Sequence, residues 1–554
     1  MQQDKRTLLK ISMKHTLHRH IAFSLLLPAI FFSFAAVVSA EEVQRFHIKG
    51  FVVEGNTLLA DKPFAETYDD SPRFDALSIQ EILEEFLGPD QSVEVIEAAR
   101  DKLERSYHEQ GYPTVLVNIP EQTVEDGFVK LQVVESVIRR VRVTGNRYFT
   151  MENILKDVPT LDEGEIIYMP HLQEELALVN RNPDMRVEPV LVPGKTFGTV
   201  DVELKVTDKL PLHGSLELNN RASADTSPLR LNGVLRYDNL WQKEHSVSLQ
   251  YQTAPKKTEE VQVIAASYVM PTPWNDDHRL ALFSVWSDSQ SAFGEGFQMI
   301  GSGYTFGVRY VMPLAPYKLY THNISVGFDY KDFDETATFY DEDLKTPISY
   351  LPLTFSYNSS LPDETGLTSF SSSLNMSMRG LVSDQREFEI KRYMARANYI
   401  YLTAGVERMQ KLPAKCSLFV KIDGQISDQP LISNEQFTSG GMDTVRGYKE
   451  SSAAGDEGIH ATVELSGPDM AEYFEFAAKA DLFPYLFYDL ASMKIREPLP
   501  GQEVSIGLES AGLGLRGKIT QYLDYETTWA MALKDRDPVE AGQYYFNFKL
   551  KMNF

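Results

Sequence analysis

The spacing of apolar residues changes character once along this chain. Ahead of residue 209, short alternating stretches are interleaved with helical ones. Phe51-Val52-Val53-Glu54-Gly55-Asn56 reads as a strand ending in a turn pair that tolerates positive φ. Ile79, Ile82, Leu83 and Phe86 follow at the i, i+3, i+4, i+7 spacing of one helix face, and Ser78 with Glu81 forms a capping box at its start. A second helix is predicted from about Val93 to Gln110, with Ile96, Ala99, Leu103 and Tyr107 inward and Gly111 as the stop. Strands at Thr114 to Ile119 and Phe128 to Val134 complete the unit. The opening motif returns as Val141-Arg142-Val143-Thr144-Gly145-Asn146. The same order follows it: helices at Glu152 to Lys156 and His171 to Asn180, with Pro170 in the first turn, then strands at Arg186 to Val192 and Thr199 to Val206. Residues 45–209 therefore read as two β-α-α-β-β modules in tandem.

After Lys209 helical periodicity disappears. Alternating segments of roughly ten residues recur between polar loops, the pattern of a transmembrane β-barrel. Strands are predicted to start near residues 211, 229, 244, 259, 278, 299, 317, 348, 367, 392, 414, 457, 476, 502, 519 and 541. The sixteen segments are an even number, so the barrel begins and ends on one side. In the last segment Phe546, Phe548, Leu550, Met552 and Phe554 alternate with Asn547, Lys549, Lys551 and Asn553. A strand puts these sets on opposite faces, one for lipid and one for a wet lumen. In the eleventh, Cys416, Leu418, Val420 and Ile422 share a face. The connections Lys331 to Pro347 and Ser427 to Gly458 are long and join odd to even strands; those at Asp238 to Glu244 and Met312 to Lys318 are short. That asymmetry suits a barrel with its long loops opposite the N-terminal modules. The fold class expected is mainly β: a sixteen-stranded transmembrane antiparallel β-barrel preceded by two α+β modules.

Composition narrows the setting. The net charge of -24 argues against nucleic acid as a partner, because phosphate binding needs a basic surface. Cys416 is the only cysteine, so no internal disulfide holds the fold. Past residue 40 no apolar run is long enough for a helical span. Lys14 and Arg19 precede a mostly apolar stretch, 21–37, and Val38-Ser39-Ala40 offers small residues ahead of Glu41-Glu42. This reads as a cleaved signal peptide. The expected division is 1–40 signal peptide, 41–136 first module, 137–209 second module and 210–554 barrel, placed in a Gram-negative outer membrane with the modules in the periplasm and lipid around the barrel.

The long loop between the eleventh and twelfth strands contains Val445-Arg446-Gly447-Tyr448, then Gly455-Asp456. With the two modules and sixteen strands, this motif resembles the outer-membrane polypeptide-transport and assembly superfamily. Within it the chain is similar to the two-partner secretion transporters of the haemolysin and filamentous-haemagglutinin type, over essentially all its mature length. The resemblance implies two POTRA modules and a loop folded back into the lumen with its VRGY motif at the tip. It also implies a second motif, Phe-x-Asp-x-Gly, on strand 13. Phe487-Tyr488-Asp489-Leu490-Ala491 stands there, with Ala491 in place of the glycine. An arginine inside a barrel needs a carboxylate, so Arg446 is expected to pair with Asp489. The aromatic final residue Phe554 and the apolar face before it are expected to be read by the barrel-assembly machinery. Many members carry a pore-plugging helix ahead of the first module. Here the first strand begins near Arg45, which leaves no room for one, so closure is expected to fall to the long loop and the modules, with frequent opening.

No phosphate-binding loop, HExxH or histidine spacing for a metal occurs, so no catalytic residue, cofactor or metal is expected. His460 reads as a lumenal residue, and Asp341-Glu342-Asp343 as a solvated external loop. The expected partner is a large secreted exoprotein that passes through unfolded. An extended segment of it would add to an open sheet edge of a module, with Thr114–Ile119 and Arg186–Val192 as candidates. Rival readings are an assembly or insertion factor of the same superfamily, a porin-like channel, and a surface adhesin. Two modules rather than more favour secretion, tandem modules count against a porin, and only the connection at Lys331 to Pro347 hints at an adhesin.

Overall fold

A computed structural model describes residues 45–59, 78–124, 126–223, 226–289, 302–339, 342–473 and 480–554. The expected signal peptide, the residues between it and Arg45, and Asp341 lie outside them. Among the described residues no helix is long and apolar enough to cross a membrane.

In the first module the strand Gly50–Glu54 lies parallel to Phe128–Glu135, which pairs on its other side with Val115–Asn118. Helices Ile79–Leu83 and Val93–Glu109 bury Ile79, Ile82, Leu83, Ile96, Ala99, Leu103 and Tyr107. The Ser78–Glu81 capping box is present. The second module repeats the topology: Val137–Thr144 lies parallel to Thr199–Asp208, which pairs with Met185–Pro193, under helices Met151–Lys156 and Met169–Val179. The repeated Gly-Asn has one cause in both copies. Gly55 and Gly145 have φ of 83° and 87°, and a Cβ on either would meet a carbonyl oxygen, of Val133 at 2.4 Å and of Val206 at 2.3 Å. Both the conformation and the space demand glycine. The side chains of Asn56 and Asn146 then donate to the carbonyls of Leu59 and Phe149, each at 2.9 Å, closing equivalent turns.

The barrel strands run Leu212–Asn219, Arg230–Leu240, His245–Thr253, Val261–Thr272, Asn275–Ser289, Gly303–Pro313, Thr321–Phe339, Glu342–Tyr350 continued by Pro352–Asp363, Gly366–Ser377, Ile400–Lys411, Ser417–Ser427, Glu457–Ser466, Phe483–Lys494, Ser505–Thr520, Leu523–Ala532 and Tyr544–Asn553. Glu342–Tyr350 and Pro352–Asp363 both pair with Thr321–Phe339, so they count as one strand interrupted at Leu351, and the closed antiparallel barrel has sixteen. Leu235, Leu249, Phe306, Leu486, Leu513 and Trp529 are exposed on its outer face. Such a belt is too apolar for water and belongs in a bilayer. On the lumen side Gln425, His460, Thr462, Asp489 and Asn547 are buried polar groups.

Three expectations need correcting. The connection from Lys331 to Pro347 is not a loop: the seventh and eighth strands continue through it, with Lys331 opposite Tyr350 and Phe339 opposite Glu342, so Glu342 and Asp343 belong to a strand rather than to a solvated loop. The tenth strand begins at Ile400, not near 392, because Gln385–Lys391 forms a short helix capped by Asp384. Helical structure therefore does recur beyond Lys209, but two turns with one buried residue, Phe388, are too short to show a period. The thirteenth strand begins at Phe483, not near 476.

The second module touches the turns at the near end of the barrel. Gln242 donates to the Tyr148 carbonyl (2.8 Å) and accepts from the Thr150 N–H (3.0 Å), and Lys156 pairs with Asp276 at 2.6 Å. Beside this contact Asp157 is raised to about 6, first by burial and then by the Glu244 carboxylate. An acid raised in the folded state favours folding below its unfolded value, near 4, and that advantage is lost as pH rises through about 6. For a partly exposed group the effect is on the order of 1 kcal/mol. Amide exchange at 240–244 is therefore expected to be slower at pH 5 than at pH 7.5, after correction for intrinsic rates. Asp157→Asn should remove most of the difference; a difference unchanged in that variant would assign it to another group.

Candidate functional site

The long loop after the eleventh strand does not project from the barrel. Its arms pair as a short ladder, Phe437–Ser439 with Ala453–Gly455, and its tip lies inside the lumen. The root is pinned first. Asp456, fully buried, accepts from the N–H groups of Leu431 (2.8 Å) and Arg496 (2.7 Å) and pairs with Arg392 at 3.1 Å. Glu435 accepts from Lys331 (2.6 Å), Tyr350 (2.6 Å) and Tyr401 (2.7 Å) on the wall.

Each residue of Val445–Tyr448 then has its own task. The guanidinium of Arg446 grips Asp489 with a two-point fork, Nε to Oδ2 at 2.9 Å and Nη2 to Oδ1 at 2.7 Å, and its backbone N–H donates to Oδ2 at 3.1 Å. Nη1 reaches a second carboxylate, Glu464 on the twelfth strand, at 2.9 Å. The guanidinium carbon lies over the Phe487 ring, 3.5 Å from its centroid, adding a cation–π contact at a buried site. Thr462 and Ser510 donate to the remaining lone pairs of Asp489 at 3.0 and 3.2 Å. A buried carboxylate with this many donors and a forked arginine meets the condition under which a buried pair holds. Glu464 in turn is paired with Arg516.

Gly447 is dictated by closeness: a Cβ there would stand 2.8 Å from the Ser510 Cβ and 3.0 Å from the Ala532 nitrogen. Val445 and Tyr448 are fully buried in an apolar cluster with Ala491, Met493, Ile506 and Leu508. The methyl of Ala491, where the related motif has glycine, is thus absorbed by that cluster. The Tyr448 hydroxyl donates to the Lys534 carbonyl at 2.7 Å, with the Glu509 carbonyl at 3.2 Å. His460 is fully buried and bonded to Asp423 at 2.9 Å, beside Thr462.

The last strand places Phe546, Leu550, Met552 and Phe554 exposed on the outer face, with Phe548 partly buried among them and Asn547 buried on the other side. Phe554 also closes the barrel's near end. Its N–H and carbonyl both pair with Gly214, at 2.9 and 3.0 Å, and its ring occupies the space a Gly214 side chain would take.

Residue types alone did not point to Glu464, Glu435, Phe487 as a ring for Arg446, or Phe388. The available signal was acidic and aromatic residues at alternate positions of predicted strands, which marks a lumen face but names no partner. A separate cluster, Asp184, His213 and Asp238, brings three ligand atoms within 4.8 Å. Its carboxylates already carry Lys209 (3.2 Å) and Arg236 (3.0 Å), so it reads as an ion-pair network.

Residues 198–517 match the family described as haemolysin secretion/activation protein ShlB/FhaC/HecB, and residues 67–136 match a POTRA domain of the ShlB type. The outer membrane transporter CdiB of Dickeya dadantii is 23% identical over 395 residues, 65% of this chain and 64% of that protein, so the match spans less than two thirds of its length. The heme/hemopexin transporter protein HuxB of Haemophilus influenzae is 20% identical over 443 residues, 78% of this chain and 76% of the relative. Among solved structures, CdiB from Escherichia coli has a TM-score of 0.60 at 17% identity, covering 93% of this chain and 92% of that one, a likeness of fold.

Proposed function

Because this chain belongs to the haemolysin secretion/activation family of ShlB, FhaC and HecB, we propose that it takes an unfolded partner exoprotein from the periplasm and passes it through its outer-membrane barrel to the cell surface. The observation that carries this reading is the Val445–Tyr448 tip, held in the lumen by Arg446 across Asp489 and Glu464. A pore with an internal, reversibly bonded strap suits a chain that must be passed and then sealed behind. In this reading residues 1–40 are the signal peptide, 41–136 and 137–209 the periplasmic POTRA modules, and 210–554 the barrel. A barrel of this size admits an extended chain or a hairpin but no folded domain. Members of the family are transporters, and no catalytic step enters the cycle; folding of the partner outside supplies the drive.

The modules receive the chain by strand addition, and the two candidate edges differ from bare edges. On Val115–Asn118, Glu104 accepts from the Val117 N–H (2.8 Å) and His108 bonds the Val115 carbonyl (3.0 Å). On Met185–Pro193, Asn180 bonds both backbone groups of Val187, at 2.7 and 3.0 Å, and Pro189 and Pro193 bring no N–H to the same side. Side-chain caps and prolines blunt an edge. The docking edge is therefore on the opposite side of each sheet, at Gly50–Glu54 or at 139–144, since both backbone groups of Ile138 are already bonded to Gly164 and Glu165.

The exposed face ending in Phe554 is the part the barrel-assembly machinery reads. One strain series tests both assignments. Deleting the gene should remove one large exported polypeptide from the culture medium, and the full chain should restore it. The chain lacking Phe554 should restore it poorly, with less heat-modifiable barrel in the outer membrane. Loss of many other outer-membrane barrels with an unchanged secretome would instead make the protein an assembly factor.

A further inference from the structure

We propose that the lumenal loop is also a clasp on the seam where the barrel closes, and that Arg221 is its catch. This inference rests on the loop's position in the lumen and holds whichever polypeptide the barrel passes.

The seam joins the first and last strands and is short. Its ladder runs from Asn219 opposite Lys549 to Ser215 opposite Asn553. By comparison the thirteenth and fourteenth strands pair over the whole of Phe483 to Lys494. Above Lys549 the last strand continues to Tyr544, but the first strand has ended at Asn219. The Asn220 side chain replaces part of the missing ladder: it donates to the Phe546 carbonyl (2.6 Å) and accepts from the Phe548 N–H (2.8 Å). Backbone groups at membrane depth need partners, so a shortened ladder is the weak point of a closed barrel.

The loop sits across this gap and is bonded to both sides of it. On the side of the last strand, the buried Asn547 side chain donates to the Arg446 carbonyl at 3.0 Å. On the side of the first strand, the chain just past Asn219 is tied to the loop three times. Arg221 Nε donates to Glu450 at 3.0 Å, Arg221 Nη2 lies 2.5 Å from Asp443, and the Glu450 N–H donates to the Ala222 carbonyl at 3.2 Å. Ser223 and Glu450 form an isolated parallel bridge there. Glu450 also accepts from the Met442 N–H at 3.2 Å, which fixes its carboxylate within the loop. Charge-assisted bonds of this kind are the strong ones. The loop thus stands in for the missing upper end of the first strand. A polypeptide that displaces the loop from the lumen releases the upper seam in the same movement, so pore clearance and seam loosening are coupled.

Amide exchange on the purified full-length protein in lipid nanodiscs tests the clasp. In Arg221→Ala, peptides covering 214–220 and 545–553 should exchange at least tenfold faster than in the parent, while those from the thirteenth and fourteenth strands should not change. Arg221→Lys should restore part of the protection. Arg309→Ala is the control: it breaks another two-point pair, with Asp329 at 2.7 and 2.8 Å, in the wall away from the seam. It should leave the seam as in the parent. If Arg221→Ala fails to assemble, Asp443→Asn with Glu450→Gln removes the same attraction while keeping the shape, and should give the same faster exchange. A seam as protected as the parent's in the assembled variant overturns the proposal. Equal acceleration by Arg309→Ala also overturns it, because the effect would then be general loosening.

Discussion

Replacing Arg446 with alanine is expected to cut export of the partner polypeptide to near background while the barrel still reaches the outer membrane. The change leaves the buried Asp489 to the Thr462 and Ser510 hydroxyls, leaves Glu464 to Arg516, and removes the charge stacked on Phe487. Breaking a buried pair by deleting one partner costs about 3–5 kcal/mol. That cost falls on the loop tip, which Tyr448, the apolar cluster around Val445, Asn547 and the Arg221 bonds still hold. It is small beside the hydrogen bonding of a closed barrel, so the wall should persist. Asp489→Ala removes the fork but leaves Arg446 with Glu464, so its defect should be real and somewhat smaller. The double variant should be no worse than Arg446→Ala alone, because both changes delete one interaction. Quantifying the partner in culture supernatant, with heat-modifiability as the control for assembly, gives the result. Fully additive defects would refute the pairing as the working unit, and normal export by Arg446→Ala would remove the motif from the mechanism.

The readability of this site in the sequence divides along physical lines. A strand's alternation is local, so the last strand, from Phe546 to Phe554, and the repeated Gly55-Asn56 and Gly145-Asn146 turns are visible in single segments. The pairing of Arg446 with Asp489 rests on the resemblance, which implies a Phe-x-Asp motif on the thirteenth strand, together with the need of a buried guanidinium for a carboxylate. Chemistry alone does not distinguish Asp489 from Glu464, and only the three-dimensional position of the loop tip makes the arginine serve both. The hairpin through Lys331 to Pro347 reads as a loop in the sequence because its residues are polar, yet they pair in register beyond the apolar belt. The seam was invisible for a related reason: alternation marks where a strand exists but not where its neighbour stops. Helix Gln385–Lys391 is two turns long and held by one aromatic residue, below any periodic signal.

That helix carries the second large effect. Deleting 380–394 is expected to turn a mostly closed channel into one that conducts for most of the recording in planar bilayers. The helix packs at the end of the barrel that carries the long hairpin of the seventh and eighth strands. Phe333, Ile348, Tyr350, Tyr399 and Phe388 form a buried cluster there with Val263 and Val285 of the wall and Leu431 and Ile432 at the root of the long loop. Phe388, 1% exposed, meets the Tyr350 ring edge-on at 5.6 Å and the Tyr399 ring at 6.2 Å. The cluster joins wall, long loop and the 378–399 connection, and is expected to act as an apolar cork. A helix of two turns has little stability of its own, and truncating a buried phenylalanine costs about 3–5 kcal/mol. Phe388→Ala should consequently release the helix and give flickering openings, intermediate between the parent and the deletion. Removing the loop tip 440–452 alone should leave the cork partly in place and open the channel less than removing both segments. A deletion of 380–394 that stays as closed as the parent would show that the long loop suffices. A further rise in conductance when the tip is also removed would show that the two segments seal the lumen in series, so a polypeptide leaving the barrel must displace the tip first and the cork last.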